Sequence, residues 1–232
     1  MVNCEKVWME KMVGLRRSFR KRKKRPQTLI AERKSAVFGS PAWASAAVLA
    51  ALLLTSCGKA ESGGNVTTVS IQKDGTVSNH IEESFSQSYY DAEELRQAIL
   101  MEAADFNKAA GSDAIGVEKI EVDEGVVTVR MTYQNSGDYA AFNDVNFFAG
   151  AAKDAPADYE LNVVLSGVKD EGQTVGKSDI LSMDGYMLLV TDISDPVNLN
   201  GKAEYVSDNV TVSDNRKCVQ VEGEGMGYVL YK

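Results

Sequence analysis

Chemistry on a protein needs particular side chains at particular spacings, and this 232-residue chain offers few of them. His80 is its only histidine. That excludes a multi-histidine metal site and leaves a Ser-His-Asp arrangement only one base to use. His80 shares strand parity with Ser78 and Glu82, so a polar strand face is its expected place. Adjacent carboxylates, the groups that glycoside hydrolysis places across a bond, occur at Glu82-Glu83, Glu93-Glu94, Asp123-Glu124 and Asp170-Glu171. With 30 acidic residues beyond position 56, such pairs carry almost no information. The segment Asp195-Pro196-Val197-Asn198-Leu199-Asn200-Gly201 comes nearest to a calcium loop. It fails because Pro196 and Ser207 stand where the first and last oxygen ligands belong. No Gly-rich phosphate loop leading into Lys-Ser/Thr is found, and no Gly-x-Ser-x-Gly elbow. The residues imply no catalytic set, no metal and no cofactor, and the expectation is a protein that is not an enzyme.

The strongest chemical signal is a thiol at the end of an apolar run. Ala42 to Leu54 is 13 small or aliphatic residues broken only by Trp43 and Ser45, followed by Thr55, Ser56 and Cys57. As a helix it would reach only about 20 Å at ~1.5 Å per residue. A bilayer core of ~30 Å needs ~20 such residues, so the run suits a secretory signal rather than a membrane span. Leu54-Thr55-Ser56-Cys57 resembles the lipobox of bacterial lipoproteins. The resemblance implies cleavage between Ser56 and Cys57, a diacylglycerol thioether on Cys57, and further acylation such as palmitate. Two or more acyl chains anchor stably where one is marginal. The implied place is the extracytoplasmic face of a cell membrane.

The organisation expected is then a signal peptide over 1–56, a lipidated tether over 57–65 and one extracytoplasmic domain over 66–232. The signal is preceded by an unusually long basic region, Arg16 to Arg25. Within it, Arg16-Arg17-Ser18-Phe19-Arg20-Lys21 resembles a twin-arginine motif but carries Arg20 where an aliphatic residue belongs. A polybasic region held on the cytoplasmic side is the preferred reading, and a later start at Leu29 would leave Arg33 and Lys34 as an ordinary short one. The tether Gly58 to Asn65 is eight residues, reaching at most about 28 Å, so the domain is expected to sit close to the membrane.

Removing residues 1–56 changes the charge balance. The whole chain has 25 basic and 33 acidic residues, net −8. From Cys57 onward there are 13 basic and 30 acidic ones, net −17. Such a surface repels phosphate backbones, so no nucleic acid partner is expected. The partners expected are the membrane, through the anchor at Cys57, and an unidentified envelope protein or small ligand. With Cys4 removed and Cys57 lipidated, no disulfide is expected within the exported part, and Cys218 reads as a small half-buried strand residue.

The elements that would position any site read as α+β. Lys73-Asp74-Gly75 between β-rich segments signals a hairpin. Asp91 with Glu94 makes a capping box, and Leu95, Ile99, Ala103, Phe106 and Ala110 form one apolar stripe ended by Gly111. This predicts a major amphipathic helix over about 91–110. Val127, Val129, Met131 and Tyr133 alternate with Thr128, Arg130 and Thr132, a strand with one wet face. Ser136 to Asn143 reads as a short helix, and from Glu160 the pattern is mainly β, with Leu161, Val163 and Leu165 alternating and Tyr186–Thr191 suited to a central strand. Val206-Ser207-Asp208-Asn209 and Val212-Ser213-Asp214-Asn215 read as two like Asx turns. The fold class expected is an antiparallel sheet, one major helix packed on it and a β-rich C-terminal half.

Tyr89-Tyr90-Asp91-Ala92-Glu93-Glu94-Leu95, Asp138-Tyr139-Ala140-Ala141-Phe142-Asn143, Tyr205-Val206-Ser207-Asp208-Asn209-Val210 and Val229-Leu230-Tyr231-Lys232 resemble stretches of small uncharacterised lipoproteins of Gram-positive anaerobes. That resemblance implies location and layout and supplies no catalytic residues. The function expected is a non-enzymatic binding or scaffolding domain of the envelope. The alternatives are a small-solute or cation-binding lipoprotein, or an envelope hydrolase with a carboxylate site.

Overall fold

Strand β1 (Val66–Ile71) turns through Lys73-Asp74-Gly75 into β2 (Val77–Ser84), as the Asp-Gly signal predicts. Asp74 Oδ1 accepts from the Thr76 amide and hydroxyl at 3.1 and 2.7 Å, and these bonds hold its carboxyl below the ordinary range. Gly75 supplies the left-handed residue, with φ +87°. Residues 66–88, 90–157, 159 and 161–232 are described in this computed structural model.

Helix α1 (Ala92–Ala110) starts where its cap requires. Asp91 Oδ1 accepts from the Glu93 and Glu94 amides at 2.8 and 3.1 Å, the Asp91 half of the expected box. Gly111 ends the helix in the left-handed region, its N–H returning to the Asn107 carbonyl. Leu95, Ile99 and Ala103 are buried. The helix also covers an edge. Arg96 Nη2 donates to the Ile120 carbonyl at 2.6 Å, and the Asn107 amide both donates to and accepts from the backbone of Ile115 at 2.8 Å. These are backbone groups of β3 (Ile115–Asp123), the edge strand whose unpaired N–H and C=O groups would otherwise invite another strand.

Strand β3 returns through Glu124-Gly125, both at positive φ (+46° and +76°), into β4 (Val126–Tyr133). Helix α2 (Ser136–Asn143), β5 (Phe147–Ala151) and a 3-10 turn (Ala152–Asp154) follow. The second half is β-rich, as expected: β6 (Leu165–Gly167), β7 (Thr174–Val175), β8 (Met187–Thr191), β9 (Val197–Asn198), β10 (Ala203–Val206), β11 (Val210–Val212), β12 (Cys218–Val221) and β13 (Gly227–Tyr231). One short helix, α3 (Lys177–Ser182), interrupts it. The described residues are thus α+β, with three helices, and their strands form two sheets. Sheet A runs β11-β12-β9-β1-β2-β4-β3 and is mixed, because β9 joins β1 in parallel. Sheet B runs β5-β8-β13-β10-β6-β7, and all its pairs are antiparallel.

The hydrophobic residues form two cores. The larger combines Val69, Val77, Val127, Val129 and Met131 of sheet A, Leu95 and Ile99 of α1, and Phe147, Leu189, Val229 and Tyr231 of sheet B. The smaller lies on the other face of sheet B, where Leu188, Val190, Tyr228 and Leu230 meet Leu161, Val175 and Ile180. Sheet B is therefore covered on both faces. Among the described residues, sheet A is covered on one.

The repeated Val-Ser-Asp-Asn sequence builds the same turn twice. Ser207 Oγ donates to Asn209 Oδ1 at 2.7 Å and accepts from the Tyr228 amide at 3.0 Å. Ser213 Oγ donates to Asn215 Oδ1 at 2.8 Å and accepts from the Cys218 amide at 3.0 Å. The first turn carries the chain from sheet B to sheet A, and the second joins β11 to β12.

Candidate functional site

The outer face of sheet A is where polar side chains are brought together. Alternation along β1, β2 and β4 sends Val69, Val77, Ile81, Val127, Val129 and Met131 inward and leaves Thr68, Ser70, Ser78, His80 and Arg130 on the opposite side. Register then sets neighbours: Ser70 lies opposite Ser78, Thr68 opposite His80, and His80 opposite Arg130. Directly opposed residues in an antiparallel pair hold their Cβ atoms about 4.5–5.5 Å apart. On β3 the ladder slips between Val117 and Lys119, and Glu118 is the extra residue of that bulge. Together these residues line a shallow depression of about 210 Å³. Asn79 and Met131 complete the lining, and both are buried.

Hydrogen bonding makes this depression rich in donors. Ser70 Oγ accepts from Asn198 Nδ2 at 3.1 Å, and Ser78 Oγ accepts from Gln72 Nε2 at 3.1 Å. Each hydroxyl thus keeps its own proton to donate. His80 Nε2 lies 2.9 Å from Glu82 Oε1, which orients the ring on the polar face, as parity predicts. Three arginines fall among the described residues. Arg96 pairs with Glu93 and the Ile120 carbonyl, and Arg216 with Glu204 and the Ala203 carbonyl. The Arg130 side chain makes no hydrogen bond or ion pair among the described residues.

The other residues singled out by sequence fall elsewhere. Glu93 and Glu94 are spent at the start of α1, and Asp123-Glu124 turns the β3–β4 hairpin. Asp170 closes a loop by accepting from the Gly172 amide and Gln173 Nε2 at 3.1 and 3.2 Å. Among the described residues, two carboxyls are raised above the ordinary range. Glu102 is raised by burial and then by Asp105 beside it, and Asp195 by burial alone, so neither owes its shift to the other. The segment tested as a calcium loop contains β9 instead. Among the described residues, no group of three or more His, Cys, Asp or Glu side chains is placed to hold a metal ion. Exposed large apolar residues occur on α1 (Leu100, Met101), at the β3–β4 hairpin (Val122, Val126), and singly at Val164 and Leu181.

Between the sheets lies a second polar group. Burial pushes the Tyr133 hydroxyl up to about 12, partly offset by the amides of Asn143 and Asn79. Tyr139 is raised further by burial, with Tyr133 and Asp195 adding to it, and Tyr231 is raised by burial alone. Asn79 Oδ1 and the Tyr231 hydroxyl are buried without a hydrogen-bond partner.

One expectation is corrected. Cys218 is buried at the start of β12, but it is disulfide-bonded, and its partner lies outside the described residues. The cleavage site Ser56–Cys57, the lipidation site Cys57, the signal peptide 1–56 and the tether 57–65 also lie outside the described residues, as does Tyr89. Among the described residues, no helix is long and apolar enough to cross a membrane. Comparison with protein-family models, with curated proteins and with solved structures found no match for this chain.

Proposed function

We propose that this chain is a membrane-anchored lipoprotein whose extracytoplasmic domain binds an envelope component and is not an enzyme; in that mature form Cys4 is removed and Cys57 carries lipid, so the Cys218 disulfide belongs to the unprocessed chain alone. The observation that carries the reading is Leu54-Thr55-Ser56-Cys57 at the end of an apolar run too short to span a bilayer. The net charge of −17 from Cys57 onward supports a surface that works in solution beside the membrane rather than on anionic headgroups. The binding role draws support from the depression on sheet A, where donors from three strands converge on an exposed face.

Metabolic labelling with palmitate tests the anchor. The full chain is expected to take up label and to sediment with membranes. Cys57→Ser is expected to lose at least nine-tenths of the label and to remain in the unprocessed form. Equal labelling of the two proteins would sink the proposal.

A further inference from the structure

We infer that the depression on the outer face of sheet A is a binding site for a small hydroxylated carboxylate, a sugar acid of one ring. The inference deepens the reading of this domain as a binding module and rests on it, but does not depend on the anchor.

Three observations select this chemistry. The first is Arg130. A guanidinium offers paired N–H donors that match a carboxylate bidentately. The described part of the chain is rich in carboxylates, yet this guanidinium has none as a partner, whereas Arg96 and Arg216 both do. The second is the state of the hydroxyls. Ser70 and Ser78 are cross-strand neighbours, and both are already acceptors from side-chain amides. Their free protons point the site's remaining capacity toward ligand oxygens. The third is Glu118, which the β3 bulge adds to the rim. Its carboxylate repels a compact dianion such as phosphate, and accepts from a ligand hydroxyl. A monoanion carrying hydroxyls satisfies all three; a bare oxyanion or a neutral sugar satisfies only some.

Size limits the ligand further. About 210 Å³ is smaller than the ~300–1,000 Å³ typical of pockets for drug-sized ligands. One ring fits that space. Because the depression lies on an exposed face, affinity in the millimolar range is expected.

The test is isothermal titration of the full chain with sodium glucuronate, glucose and sodium phosphate, each up to 50 mM at constant ionic strength. Glucuronate is expected to bind at low millimolar concentration, at least fivefold more tightly than the other two. Arg130→Gln is expected to weaken glucuronate at least tenfold. The Arg130 side chain is exposed and bonds no described side chain, so this variant should fold; its unfolding midpoint serves as the control. Glu118→Gln is expected to strengthen phosphate relative to glucuronate. No glucuronate binding by 50 mM overturns the assignment, as does binding that Arg130→Gln leaves unchanged. Phosphate binding as tight as glucuronate overturns it too, by making this a general oxyanion site. Palmitate labelling is untouched by any of these results, so the anchor and the site fail separately.

Discussion

Sheets A and B solve the same burial problem differently, and the contrast separates the working surface from the scaffold. In sheet A, β4 alternates: Val127, Val129, Met131 and Tyr133 are buried, while Thr128, Arg130 and Thr132 face outward. In sheet B, β13 is buried at all five positions and β8 at four of five. Continuous apolar strands are usually associated with parallel sheets between helices. Here they occur in an antiparallel sheet. What the continuous run reports is cover on both faces, supplied by the main core on one side and by α3 with its neighbouring loops on the other. The sheet with one face left uncovered by the described residues is the one with polar side chains in register.

The largest effect that would sharpen this contrast is expected in sheet B. Leu189 is fully buried in the shared core, paired opposite both Ala149 and Val229. Leu189→Ala should cost about 2–5 kcal/mol, measured by urea unfolding. A cost below about 1 kcal/mol would mean that this core is not tightly packed.

A second effect comes from the space between the sheets. Tyr133, Tyr139 and Tyr231 are all raised by burial. The unfolded chain therefore loses its phenolic protons first, near pH 10, while the folded protein holds Tyr133 until about 12. Stability is fully present below about pH 10 and should fall as pH rises toward 12, at about 1.4 kcal/mol per pH unit for each such tyrosine. Absorbance titration at alkaline pH should show part of the tyrosine signal delayed until unfolding. Ordinary titration of every tyrosine near pH 10 in the folded state would contradict this packing.

The smallest effect belongs to the wet face. Ser78→Ala removes a half-exposed hydroxyl whose visible bond is to an exposed glutamine. Its cost should stay within about 0.5 kcal/mol. A loss above about 1.5 kcal/mol would mean that the outer face of sheet A is structural rather than a surface kept free for a ligand.

Much of the fold was legible because local signals agreed with it. Asp91 and Gly111 bound α1 chemically, Asp-Gly turns β1 into β2, and the strands from Ala203 to Tyr231 fall close to where apolar runs meet Asp, Asn and Gly. What local pattern does not carry is partnership. Nothing in Val197-Asn198 announces a parallel pairing to β1, because two residues hold no periodicity and the partner lies more than a hundred residues away. Leu161, Val163 and Leu165 alternate in burial, yet only Leu165 enters a strand, since side-chain alternation does not require a ladder. Helix α3 is six residues long and starts at Gly176, whose amide donates to Asp179 Oδ2 at 3.0 Å. That is too short for an apolar stripe to show.

The site was half legible. Parity placed His80 with Ser78 and Glu82 on a polar face, and the structure keeps them there. Arg130 was visible only as one polar position in an alternating strand. That it stands opposite His80, and that Glu118 joins it through a bulge, are consequences of register. Cys218 shows the same limit from the other side, since a disulfide depends on which thiols meet in space and not on their count.

The most direct test is mass spectrometry of the N-terminal peptide and of all cysteine peptides from membrane-extracted protein. The proposed function predicts a chain beginning at Cys57, with a diacylglycerol thioether on that residue and residues 1–56 gone. Recovery of Cys57 unmodified in a disulfide with Cys218, on a chain that retains residues 1–56, would contradict it.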